Sequence, residues 1–186
     1  MLQVKQWRSL FPGSRVIAET STSTRHEELA RLGAEPRLRS DRSAADEFSA
    51  RNVLICIPPS GSQDYEEELS SGFRVWAGPQ TGNLVFTSST VVYGDSFGNT
   101  VNERFRLDSR SGRSYKMICA EESVLVRGGT VLRLAGLYSE SRGPHTFWLR
   151  NSRGEVDADG EGTLNMLHYA DAAAAAIGEC LKNRPV

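Results

Sequence analysis

The stretch Leu84-Val85-Phe86-Thr87-Ser88-Ser89-Thr90-Val91-Val92-Tyr93-Gly94 decides the reading of this 186-residue chain. It begins as an apolar run of the kind that forms a buried strand. It passes at once into hydroxyl residues and closes on Tyr93-Gly94, ahead of a polar loop. In an open α/β sheet, ligands bind outside the carboxyl ends of the strands. Hydroxyl groups at the end of such a run therefore point toward whatever is bound.

Outward from this run the pattern repeats. Arg15 to Glu19, Glu35 to Leu38, Asn52 to Ile57 and Thr130 to Leu134 read as further strands. Pro58-Pro59-Ser60-Gly61 stops the third of these and Ala135-Gly136 the last. Leu2 to Leu10 predicts a helix with Val4, Trp7 and Leu10 on one face, ended by Phe11-Pro12-Gly13-Ser14. His26 to Leu32, closed by Gly33, and Ser43 to Ser49, with Ser43 as its N-cap, predict two more. The segment up to Ala77 reads as a weakly apolar helix or loop. Ser114 to Val126, stopped by Gly128-Gly129, and Tyr169 to Lys182 read as the last helices. Tyr138 to Thr163 is polar and Gly-rich around an apolar island, Phe147-Trp148-Leu149. Strands alternating with helices predict one domain with a mostly parallel sheet covered on both faces.

Composition narrows the partners. The net charge of -1 and a pI near 6.3 give no electrostatic footprint for nucleic acid. Cys56, Cys119 and Cys180 are too far apart for a metal-ligand spacing and odd in number, which suits a reducing compartment. No apolar run approaches the roughly 20 residues that span a bilayer, and the first residues show no secretory signal. On these grounds neither nucleic acid nor a membrane is expected as a partner.

Three segments resemble the extended and atypical short-chain dehydrogenase/reductases, the NAD-dependent epimerase/dehydratase superfamily. Phe86 to Gly94 is similar to that family's serine strand and its V-Y-G continuation. Leu132-Arg133-Leu134-Ala135-Gly136-Leu137-Tyr138 is similar to its R-L-x-x-I-Y-G segment. Asn165-Met166-Leu167-His168-Tyr169-Ala170-Asp171-Ala172-Ala173 is similar to N-x-I-H-V-D-D-L-A. The resemblance implies a Rossmann-like, doubly wound α/β fold over residues 1–186, with 137–167 as a substrate-side insertion. It also implies a small molecule as partner, NAD or NADP as cofactor, and hydride transfer or epimerisation on a sugar-like or small hydroxyl or carbonyl substrate. Homodimers packed through the helices beside the serine strand follow from it, as does a cytoplasmic or plastid setting.

Two departures from the family pattern stand out. The Gly-rich loop G-x-x-G-x-x-G, which gives backbone N–H groups to a pyrophosphate, has no counterpart here, nor has the strand before it. The chain reads as an incomplete domain lacking that first strand, and a truncated gene product is the favoured explanation over a degenerate protein. The Tyr-x-x-x-Lys pair is also out of register. Tyr115 and Lys116 are adjacent, hence about 100° apart on a helix, and Cys119 stands four after Tyr115. Aligning Ala120-Glu121 with the family's A-E puts the two positions on Arg113 and Met117.

The resemblance singles out specific residues, each with an ordinary structural alternative. Ser89, four before Tyr93, would orient a substrate carbonyl or hydroxyl; otherwise it satisfies loop backbone. Tyr115 would be a displaced general acid, or else an exposed residue of a first helical turn. Ser88 lies near the nicotinamide or in the turn. Glu19 would bind a ribose 2′-OH, whereas Arg25 would pair a 2′-phosphate, a lean toward NADP. Asp41 would contact adenine or cap a helix. Ile57, Pro58 and Pro59 would line the cofactor's ribose through backbone, and Ala135 and Gly136 would close the cofactor side. His168 and Asp171 lie three apart, but His26 and His145 offer no partnering pattern. No metal is therefore expected, and Asp171 is expected to cap the last helix.

Overall fold

The computed structural model describes residues 1–41, 48–60, 62, 64–96, 98–151, 155, 161 and 163–182. Its strands are β1 (Ile17–Thr20), β2 (Glu35–Leu38), β3 (Val53–Ile55), β4 (Leu84–Ser89), β5 (Thr130–Leu134), β6 (Gly136–Tyr138) and β7 (Met166–His168). Its helices are α1 (Leu2–Leu10), α2 (His26–Arg31), α3 (Tyr65–Val75), α4 (Gly112–Val126), α5 (Pro144–Asn151) and α6 (Tyr169–Leu181). All strand pairing is parallel, as alternating β and α elements require. The fold is the expected α/β type.

β4 is the spine. It pairs with β3 on one side and β5 on the other, with Phe86 opposite Ile55 and Val131. The pleat sends Leu84, Phe86 and Ser88 to one face. There α3 and α4 contribute Tyr65, Leu69, Met117, Ala120 and Val124 to a buried cluster with Leu84, Phe86 and Ile55. α3 approaches so closely that a Cβ on Gly72 would lie 2.7 Å from Ile55 Cδ1. Val85 faces the other way, the side over which α6 packs; α6 buries Ala172, Ala173, Ala176, Ile177 and Cys180. α1 lies in turn on α6, with Gln6 Nε2 donating to the Ala170 carbonyl at 3.3 Å.

The sheet is not continuous. β1 and β2 form a two-stranded sheet, β3–β4–β5 a three-stranded one and β6–β7 a short pair. Among the described residues no strand joins β1 to β3. What bridges them is α3: Ser71 donates to Glu19 of β1 at 2.8 Å while the neighbouring Gly72 packs on Ile55 of β3.

Several boundaries differ from the sequence reading. β1 runs to Thr20 rather than Glu19, and β3 keeps only Val53–Ile55. The weakly apolar segment before Ala77 is a definite helix, started by Asp64, whose carboxylate accepts from Glu67 N–H at 2.9 Å. The island at Phe147 lies on α5. The helix expected at Ser43 to Ser49 falls largely outside the described residues. Asp171 does not cap α6: His168 does, its Nδ1 accepting from the Ala170 N–H at 3.2 Å. Asp171 lies within the first turn, past the N-cap position.

Candidate functional site

The carboxyl end of β4 opens into a shallow cleft of about 480 Å³, lined by Val91, Gly94, Asp108, Arg110, Ser111 and Ser114. Three pieces of chain make its walls. The first is the 3-10 turn Thr90–Tyr93, which Ser89 starts by accepting from the Val91 N–H at 3.3 Å. The second is the loop reaching Asp108, whose N–H donates to the Val92 carbonyl at 2.8 Å. The third is the start of α4, where Ser111 accepts from the Ser114 N–H at 3.0 Å. Gly94 joins the first two. Its φ of 62° lies in the left-handed region, and a Cβ there would run into the Asp108 side chain. Arg110 grips Asp108 through its guanidinium and its own N–H, holding that carboxyl down at about 2.

Beneath the cleft lies a buried polar network. Glu121 of α4 is 1% exposed. Arg133 of β5 binds it through Nη2 at 2.7 Å and Nε at 3.1 Å to both oxygens. Ser88 donates to Glu121 Oε1 at 2.5 Å. Arg133 Nη1 also donates to the Tyr93 hydroxyl at 3.2 Å and to the Glu103 carbonyl at 3.3 Å. The carboxylate beside it raises the Arg133 pKa further, so the guanidinium is permanently charged.

The residues singled out from the sequence are distributed as follows. Ser89 is not itself a lining residue of the cleft: it caps the turn that is, its oxygen accepting from the Val91 N–H. Ser88 is 5% exposed and spends its hydroxyl on Glu121 rather than on the turn. Tyr115 is exposed in the first turn of α4. A hydrogen bond with the Cys119 thiol raises its pKa above the ordinary tyrosine value. Met117 is a core residue, its sulfur 3.7 Å from the Tyr65 hydroxyl, and Arg113 is exposed.

At the other strand ends, Arg25 reaches Met1 Sδ with Nη1 at 3.4 Å, and burial lowers the pKa of the Met1 amine. Asp41 is exposed and accepts from Ser40 at 3.1 Å. Ile57 offers its carbonyl to the buried Tyr65 hydroxyl at 2.9 Å, and Pro58 and Pro59 follow it. Burial pushes the Tyr65 pKa up to about 12. Ala135 and Gly136 form the passage from β5 to β6. Glu19 is engaged with Arg37 at 2.9 Å, Arg39 at 3.6 Å and Ser71, so its carboxylate is part of the framework.

Sequence reasoning passed over the Glu121–Arg133–Tyr93 network as a unit. Its signal was present, however: an arginine inside the apolar run Thr130 to Leu134 and a glutamate inside an apolar helix face. Buried charges of this kind are tolerated only when paired. Among the described residues no three His, Cys, Asp or Glu side chains gather into a metal-binding group.

The α/β fold is matched in known proteins. WbmG of Bordetella bronchiseptica, solved in complex with NAD, superposes with a TM-score of 0.68 over 100% of this chain and 67% of its own, at 15% identity. The chain has the fold of the NAD-dependent epimerases and dehydratases. A UDP-N-acetylglucosamine 4-epimerase from Bacillus cereus matches 98% of this chain and 68% of its own, with a TM-score of 0.67 and 18% identity. A conserved protein of unknown function from Silicibacter pomeroyi matches at a TM-score of 0.70 and 23% identity, over 98% of this chain and 65% of its own. By sequence, protein YeeZ of Escherichia coli K12 is 30% identical over 154 residues, 77% of this chain and 54% of that protein. The chain thus spans about half the length of the curated relatives it matches. No family model matches it. Among the described residues, no helix is long and apolar enough to cross a membrane.

Proposed function

We propose that this chain binds a nicotinamide dinucleotide across the carboxyl ends of its strands. There it acts on a hydroxyl or carbonyl of a sugar-like small molecule. The observation that carries this reading is a cleft walled by the Val91–Gly94 turn, Asp108 and the start of α4 just beyond Ser89, which caps that turn, in a fold shared with a protein solved with NAD. The residues following the carboxyl ends of β1, β2 and β3 suit such a ligand as well. Arg25 stands there, following β1, with its guanidinium exposed. An exposed guanidinium beyond a strand end favours phosphate. In this reading Arg25 and Asp41 hold the adenosine side, with Arg25 the basis for preferring NADP. Ile57, Pro58, Pro59, Ala135 and Gly136 line the remainder.

The dinucleotide would supply the hydride acceptor or donor. Ser89 would orient the substrate oxygen with its hydroxyl. Tyr115, protonated throughout the neutral range, would give up a proton and could not remove one. A homodimer through α3 and α4 suits the exposed Leu125 and Val126 on α4, and the three free cysteines suit a cytoplasmic or plastid compartment.

A second reading is a catalytically degenerate nucleotide-binding or interaction module, or an inactive product. One observation favours it: the Tyr115 hydroxyl has the Cys119 thiol, not a cation, as its partner. A working general acid or base needs a neighbour that brings its pKa toward the operating pH. Calorimetric titration with NAD and NADP, followed by turnover of the wild type and Ser89→Ala with UDP-sugars, separates the two. Binding with turnover that Ser89→Ala abolishes supports the first reading. Binding without turnover leaves the second.

A further inference from the structure

We infer that Arg133 is a positioning residue for the cleft: through Tyr93 and Glu103 it fixes the turn that carries Ser89 and the loop that faces it, using Glu121 as its anchor. This rests on the dinucleotide reading of the cleft, but its first readout does not.

Glu121 is 2% exposed by side chain and Arg133 16%, so the carboxylate has left water and the guanidinium has largely done so. Such a pair recovers its desolvation only when every remaining donor and lone pair is used. Here they are used outward, toward the cleft. Two guanidinium nitrogens go to Glu121, which Ser88 also binds, and the third goes to the Tyr93 hydroxyl and the Glu103 carbonyl. Tyr93 ends the 3-10 turn that Ser89 begins. Its ring meets Phe105 edge-on at 5.9 Å, with planes at 85°, and Arg133 lies over its face at 5.2 Å. Phe105 in turn belongs to the chain running from Glu103 to Asp108. One guanidinium therefore sets α4, the Ser89 turn and the 103–108 loop against one another. These are the three walls of the cleft. An apolar pair of similar volume would fill the core equally well; it would not orient Tyr93 or hold Glu103.

The inference separates packing from positioning. Tyr93→Phe keeps the ring and its contact with Phe105 but removes the hydroxyl. It should leave the thermal midpoint within a few degrees of wild type and speed amide exchange at residues 91–94 and 103–108 roughly tenfold, with β4 amides unchanged. NAD affinity should fall several-fold. The double variant Glu121→Met with Arg133→Met should recover much of the midpoint lost by Arg133→Met alone, while its turn and loop stay fast-exchanging. Unchanged exchange at 91–94 and 103–108 in Tyr93→Phe would overturn the inference. So would a double variant that restores the loop together with the midpoint, because the pair would then be packing alone. If wild-type protein binds no NAD, the functional reading fails while the exchange data still decide the role of Arg133.

Discussion

Ser71 donates its hydroxyl hydrogen bond to Glu19 at 2.8 Å, and this contact ties the two-stranded sheet to the helix that covers the three-stranded one. Glu19 also holds Arg37 and Arg39, all three side chains being only 21–23% exposed. The carboxylate is a framework element where the sequence suggests a ribose ligand. Glu19→Ala leaves Arg37 without its carboxylate partner and removes the longer contact of Arg39, which keeps Glu68 at 2.7 Å. It is expected to cost on the order of 1–3 kcal/mol, seen as a lower denaturation midpoint. Faster hydrogen exchange should be confined to residues 17–20 and 35–38. A loss spread evenly over both sheets would mean that they unfold as one unit.

Gly94 tests how tightly the cleft is closed. Its backbone sits at φ 62° and ψ -146°, and a Cβ would strike Asp108. Gly94→Ala is expected to cost about 1–3 kcal/mol and to loosen the Asp108 loop, measured as a lower melting temperature and weaker NAD binding. An alanine variant as stable as the wild type would show that the turn has an alternative conformation.

The pH behaviour of Tyr115 has a definite sign. Hydrogen bonding to Cys119 raises its pKa above 10.0, which keeps the phenol protonated. Any turnover that uses Tyr115 as a proton donor should be flat between about pH 6 and pH 9 and fall only as pH rises through the raised value. Removing the partner with Cys119→Ala should move that fall to lower pH. A limb near neutrality that persists in Tyr115→Phe would assign the titrating group elsewhere.

Arg25 separates the two cofactors. Its guanidinium is exposed at the start of α1, where a 2′-phosphate would lie in the proposed pose. Arg25→Ala should weaken NADP binding roughly tenfold and leave NAD within twofold of wild type, read by titration calorimetry. Equal losses for both dinucleotides would place Arg25 on the shared diphosphate.

The framework was largely legible because local signals agreed with tertiary ones. Thr130 to Leu134 is apolar and bounded by glycines, and His26 to Leu32 is closed by Gly33 at φ 84°; both elements appear where the pattern puts them. α3 was less legible although Tyr65, Leu69 and Phe73 fall at helical spacing, because the intervening Glu66-Glu67-Glu68 and Ser70-Ser71-Gly72 read as loop. Its Asp64 cap was the better clue. The cap of α6 was misread because His168 and Asp171 are both competent acceptors, and only the backbone decides which precedes the first turn. The cleft was legible at Ser89 and illegible at Tyr93, Glu103 and Arg133. These meet across 10 to 40 positions of chain through a guanidinium whose reach no local pattern encodes.

The most direct test is a thermal and calorimetric titration of the wild-type chain with NAD and NADP. Dinucleotide at tenfold over its Kd should stabilise the protein by about 1.4 kcal/mol, a rise of roughly 3–6 °C in melting temperature. Binding heat should accompany it, diminished by Gly94→Ala and by Tyr93→Phe. No shift and no heat with either dinucleotide at millimolar concentration would contradict the account.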